Sequence, residues 1–220
     1  MDVKANQATK GIFKRIFGFY ALPMYILTHP FEGFYEMKYL NRGSLKLAII
    51  NFLLVAASFA FASQYASIVV NMQNPLTLHS LYDFFILVIA LILFCASNWS
   101  VTSLTDGEGR FKDILMAVCY AMTPLVLTIV PAAILSNFLS VEEAGFYFMI
   151  LSVGTAYFVF LVFAGLVTVH NYTGAKAIAT VFLTFIALLV IVFLITLLFT
   201  LWQQLVVFAY SVYTELMFRA

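Results

Sequence analysis

Charge is what this sequence has least of. Lys, Arg, Asp and Glu make up 10% of its 220 residues, where a soluble globular domain carries about a quarter. With hydrophobic residues at 64% and a mean hydropathy of +1.04, the chain cannot cover a globular surface with polar groups, and its solvent must be lipid. A net charge of +1 offers no field for nucleic acid, so that partner class is set aside. Cysteine is almost missing as well. Cys95 and Cys119 both sit inside apolar runs, which argues for packing and against a disulfide framework or a redox pair. The opening MDVKANQATK lacks the apolar core and small-residue cleavage site expected of a removable signal peptide.

No charge lies deep in any apolar run. Asp83 is near the start of the second run, while Glu142 and Glu143 precede the fourth. An ion or proton relay needs an intramembrane carboxylate or Lys, because such a charge costs about 2.5 to 3.5 kcal/mol at a helix centre and is kept only for use. His29, His79 and His170 fall at interfaces rather than deep in a span, with His79 expected outside and the other two inside, and no glycine-flanked serine faces them, so neither a metal site nor a serine-histidine protease is assembled. The segment GEGRFK lacks phosphate-loop spacing and follows a membrane helix rather than a strand. DGEGRFKD is too short for an EF-hand. We therefore assign no catalytic, cofactor-binding or metal-ligating residue.

What is present is a set of five apolar runs near 45–70, 81–104, 114–136, 144–167 and 177–202, each long enough to cross a hydrocarbon core that needs about 20 helical residues. The fold class expected is all-α: a polytopic bundle of five transmembrane helices preceded by N-terminal cytoplasmic amphipathic helices. Residues 1–44 form the interfacial segment, 45–204 the transmembrane domain, and 205–220 an outer-side interfacial helix or an extension of the fifth span. Within the first segment, Ile12, Phe13, Ile16, Phe17 and Tyr20 share a helical face opposite Lys10, Lys14 and Arg15. Pro30 suits the first turn of a second helix, PFEGFYEMKYL, on which Glu32 and Glu36 share a face.

Short loops rich in Lys and Arg stay cytoplasmic. Lys4, Lys10, Lys14, Arg15, Lys38, Arg42, Lys46, Arg110, Lys112 and Lys176 all fall on one side of the bundle, and only Arg219 on the other. The expected topology is multi-pass in a cell membrane, N-terminus cytoplasmic and C-terminus outside. Trp99, Tyr172, Trp202, Tyr210 and Tyr213 lie near run ends, where an aromatic belt belongs.

The turn from Thr105 to Asp113 concentrates Asp106, Glu108, Arg110, Lys112 and Asp113 between the second and third spans. Those five, with Glu32 and Glu36, are the candidate partner contacts. Gly107 and Gly109 are expected to permit a tight reversal. Asn51, Ser97 and Asn98 form the candidate intramembrane polar cluster, of the kind that bonds neighbouring helices. Ala56, Ala60 and Gly154 should let backbones approach closely, and Pro124 and Pro131 should kink the third span or free carbonyls there.

HPFEGFYEMKYLNRGS before the first span, NWSVTSLTDGEGRFKD, CYAMTP, SNFLSVEE and VHNYTGAKA together resemble the bacterial branch of the Yip family, the Ypt-interacting five-span membrane proteins. The resemblance runs from about residue 28 onward. Eukaryotic members carry an acidic Leu-Tyr-Gly-Pro type motif tied to small GTPases, and this chain has HPFEGFYEMK in its place, so GTPase binding is not carried over. Resemblance to the bacterial branch implies an accessory of a carbohydrate ABC importer. The function expected is thus a non-enzymatic membrane scaffold binding permease or ATPase subunits within the lipid bilayer, with a small transporter or channel second and an intramembrane enzyme last.

Overall fold

The structure, a computed structural model, describes residues 21–71 and 80–219. The expected interfacial helix over residues 12–20 and His79 lie outside the described residues. Every regular element among them is a helix: α1 over 21–28, then α2 (Pro30–Tyr39), α3 (Leu45–Tyr65), α4 (Ser80–Leu104), α5 (Phe111–Ala121), α6 (Thr123–Ser136), α7 (Ala144–His170) and α8 (Gly174–Arg219). Five stretches are long and apolar enough to cross a membrane, with α5 and α6 together making the third. The chain is a polytopic all-α membrane protein.

Local chemistry explains where the helices stop. α2 starts on Pro30 and ends before Asn41, whose φ of 52° turns the chain back. α3 ends at Tyr65, short of the expected residue 70, because Ala66 is extended at ψ 142°. α7 ends on Asn171 in the left-handed region at φ 55°, a cap that Asn tolerates better than other non-glycine residues. The Asp113 carboxylate accepts the Arg110 N–H at 3.2 Å and so fixes the first turn of α5. The sequence places the fifth span at 177–202 and leaves 205–220 as an interfacial helix or an extension of that span; the structure has the extension, one uninterrupted helix from Gly174 to Arg219.

The third span is the centre. Its most apolar stretch is 61% buried, and α5 and α6 between them pack on α3, α4 and α7. Small side chains make this possible: Ala117, Ala121, Ala132 and Ala133 are almost fully buried, which lets neighbouring backbones close in. On α7, Gly154 lies directly against the Thr128 side chain of α6, with no room for a Cβ.

The two prolines differ. Pro131 sits inside α6, while the break falls at Met122, between α5 and Thr123–Pro124. Pro124 has no N–H to offer the Tyr120 carbonyl, and the Thr123 hydroxyl donates to that oxygen instead at 2.7 Å. Asn51 of α3 reaches across and donates to the Cys119 carbonyl at 2.6 Å and to the Thr123 hydroxyl at 3.2 Å. The Cys119 and Tyr120 carbonyls at the break are thereby satisfied, as backbone at membrane depth must be.

Candidate functional site

α2 is docked on the bundle rather than lying free in the headgroup plane. Phe34 and Met37 are fully buried, and the Phe34 ring meets α7 at Gly165, where an added Cβ would come within 3.1 Å. The outer face of α2 keeps Phe31, Tyr35 and Tyr39 exposed. Tyr120 of α5 holds the following turn: its hydroxyl accepts the Ser44 N–H at 3.0 Å and donates to the Ser44 carbonyl at 2.9 Å.

Lys38 joins three parts of the chain. Its ammonium donates to the Val169 carbonyl in the last turn of α7 at 2.7 Å, to the Tyr39 hydroxyl at 3.1 Å and to Glu108 at 3.4 Å. With three donors matched to three acceptors, a side chain only 11% exposed is fully satisfied, and its charge sits at the negative end of the α7 dipole. Glu108 also accepts from the Tyr39 hydroxyl at 3.0 Å and from Asn171 at 3.5 Å. The Tyr39 hydrogen bond first, then those of Asn171 and Lys38, hold the Glu108 carboxyl below its ordinary range.

Beneath this clasp lies a buried polar chain. His170, 1% exposed, accepts the Gly109 N–H at Nδ1, 3.3 Å away, and its Nε2 meets Asn98 Oδ1 at 3.2 Å. Because Nδ1 accepts, Nε2 carries the proton. Asn98 in turn donates to Thr184 of α8 at 3.1 Å, and Thr184 to the Thr180 carbonyl at 2.8 Å. One imidazole and one amide therefore tie α4, α7, α8 and the 105–110 turn together. Tyr172 stacks on His170 with ring centroids 5.3 Å apart and donates to the Thr105 carbonyl at 3.1 Å.

Gly107 and Gly109 serve closeness rather than dihedral freedom. No described glycine has positive φ, and the left-handed residue of the turn is Asp106 at φ 54°. A Cβ at Gly107 would stand 2.7 Å from His170 Nδ1 and one at Gly109 2.6 Å from His170 Cε1. The reversal is tight because it must pass over an imidazole.

The candidate partner residues divide accordingly. Glu108 is engaged in the clasp, Glu36 is paired with Arg42 at 2.7 Å, and Glu32 accepts from Tyr25 at 2.8 Å, which raises the tyrosine's pKa. Asp106, Arg110 and Lys112 are exposed, and Asp113 is half-buried. Glu32, Glu36 and Glu108 line one groove of about 860 Å³ with Phe31, Tyr35 and Tyr39. The polar residues also separate. Asn51 serves the α5–α6 break, Asn98 the His170 chain, and Ser97 donates to Leu93 of its own helix at 2.7 Å instead of to a neighbour. Lys38, Tyr39, His170 and Thr184 escape sequence reasoning as a set, because their partners lie 61 to 131 residues away in sequence.

This arrangement defines a class: an integral membrane helical bundle whose N-terminal helices form a cap locked onto one end. Residues 24–197 match the model of the Yip1 domain, and the chain belongs to that family. No curated protein and no solved structure matches it.

Proposed function

We propose that the chain is a non-enzymatic membrane scaffold that holds other membrane proteins against its capped end. The observation that carries this reading is the groove beside α2, in which exposed Phe31, Tyr35 and Tyr39 alternate with three carboxylates on a support fixed by the Lys38 clasp. Rigid aromatic anchors with a polar rim are the usual make-up of a protein-binding surface. Lys38, Arg42, Arg110, Lys112 and Lys176 supply the positive charge near this end, which supports a cytoplasmic orientation in a cell membrane. The bacterial resemblance supports the permease or ATPase subunits of a carbohydrate ABC importer as the partners.

The test is purification from native membranes in mild detergent. An importer subunit should come with the wild-type chain and be lost with Phe31→Ala/Tyr35→Ala. Charge reversal at Arg110 and Lys112 asks in the same assay whether the turn takes part. Absence of any such subunit from the wild-type preparation would sink the reading. A transporter would use the break at Met122, but Asn51 and Thr123 fill it with hydrogen bonds. Reconstituted flux lost on Asn98→Ala would favour that second reading.

A further inference from the structure

α8 is far longer than its bundle contacts. Ala177, Thr180 and Thr184 are buried against the bundle, but from 192 to 213 every residue is exposed. Thr184 bonds Asn98 of the antiparallel α4, so by equal helical rise the level of Ser80, where α4 begins, falls near Trp202. The remaining residues, 203–219, project about 25 Å further at 1.5 Å per residue. Most of what they present is apolar, Leu205, Phe208 and Leu216 being each more than 60% exposed.

The exposed half of α8 nevertheless has a polar side. Thr196, Thr200, Gln203, Gln204, Ser211 and Thr214 lie within an arc of about 120° at 3.6 residues per turn, and Glu215 continues it. That arc faces away from the side carrying Ala177, Thr180 and Thr184. Thr196 and Thr200 donate to carbonyls of their own helix at 2.9 Å, which leaves the hydroxyl oxygens free to accept. Neither Gln203 nor Gln204 makes a side-chain hydrogen bond within the described residues. These amides lie just past the level of Trp202 with no partner among the described residues of their own chain, and glutamine, with both donors and an acceptor, can satisfy another glutamine across a helix pair.

We propose that this face of α8 is a self-association seam, and that its occupant is the same face of a second copy. Copies inserted with the same topology present parallel α8 helices, so a two-fold axis along the membrane normal sets Gln203 and Gln204 at matching depth in both and fixes the register. A helix on the unoccupied side of α8 meets no other part of the bundle. The same pairing covers Val207, which lies within the arc, and Phe208 on its flank, beyond the end of α4. This inference is independent of the groove beside α2, which faces the other end of the bundle.

The experiment uses the purified full-length chain in phosphatidylcholine vesicles at low protein density, with single cysteines introduced at Ser211 in the seam and at Leu205 off it. Cys95 and Cys119 are buried and stay silent. Under mild oxidation Ser211→Cys should form covalent dimer in large excess over Leu205→Cys. Adding Gln203→Leu/Gln204→Leu should lower the Ser211→Cys yield by about tenfold, the effect of losing one to two interhelical hydrogen bonds. These sites touch nothing in the bundle, so an unchanged melting temperature confirms that each variant is folded. Equal yields from the two cysteines, or a yield indifferent to the glutamine replacements, would overturn the seam. In native membranes, cross-linking of Ser211→Cys to another protein and never to its own copy would overturn the choice of occupant.

Discussion

The third and fifth spans are both apolar, with mean hydropathies of 2.1 and 3.2, yet 61% of the most apolar stretch of one is buried and 6% of the other's. The more hydrophobic helix is the less buried. In lipid, apolar side chains gain nothing by leaving solvent, and association is decided by how closely backbones approach and by which polar groups need partners. The third span has Ala117, Ala121, Ala132 and Ala133 on its surface, Gly154 opposite, and a proline break that calls in Asn51. α8 has bulky Leu and Phe around most of its length, and only its first half has a foothold on the bundle, through Ala177, Thr180 and Thr184, Val181 packed against the core and Phe185 beside Phe94 of α4.

The packing of the third span is most sensitive at Gly154. Gly154→Val drives a branched side chain into Thr128 and should cost about 3 kcal/mol by overpacking, seen as a fall of roughly 6 to 12 °C in melting temperature in detergent. Asn51→Leu comes next. It leaves the Cys119 carbonyl without its side-chain donor at the break, for a loss of about 2 kcal/mol. Lys38→Met, at the cap, should cost about 1.5 kcal/mol, the worth of a charge-assisted hydrogen bond to Val169. Its signature is faster proteolysis of the 29–44 segment than of the spans.

A smaller effect is expected from pH. The folded-state pKa of Glu108 lies below its ordinary value of 4.5, so the clasp contributes stability above that value and loses it as pH falls through the folded one. Between pH 7 and pH 4 the wild type should lose slightly more melting temperature than Glu108→Gln. Equal losses would mean that the clasp does not hold the cap.

Much of the fold was legible. Five runs of lipid-soluble length, short loops and a one-sided Lys and Arg distribution specify the bundle and place its charged turns at one end. Other features depend on contacts that no local pattern encodes. Pro124 and Pro131 look alike in sequence, and the break falls beside Pro124, where Thr123 takes over the Tyr120 carbonyl and Asn51 lies across from it. Gly107 and Gly109 read as turn residues, but the need for them comes from His170, 61 positions after Gly109. Glu32, Glu36 and Glu108 do meet in one groove, while Asn51 and Asn98 serve different joints. The continuation of α8 past Trp202 was readable as part of one helix or as a second, because its apolar residues alone do not say what lies alongside.

The distal half of α8 is no part of the bundle's core: every residue from 192 to 213 is exposed. Its most direct test is the melting temperature of Leu198→Ala/Leu205→Ala, two leucines 64% and 63% exposed and away from the polar arc. Surface substitutions change stability by about 0.5 kcal/mol or less each, so the double variant should melt within about 4 °C of the wild type. A fall matching Gly154→Val, which buried leucines truncated to alanine at about 2 to 5 kcal/mol each would produce, would contradict the account.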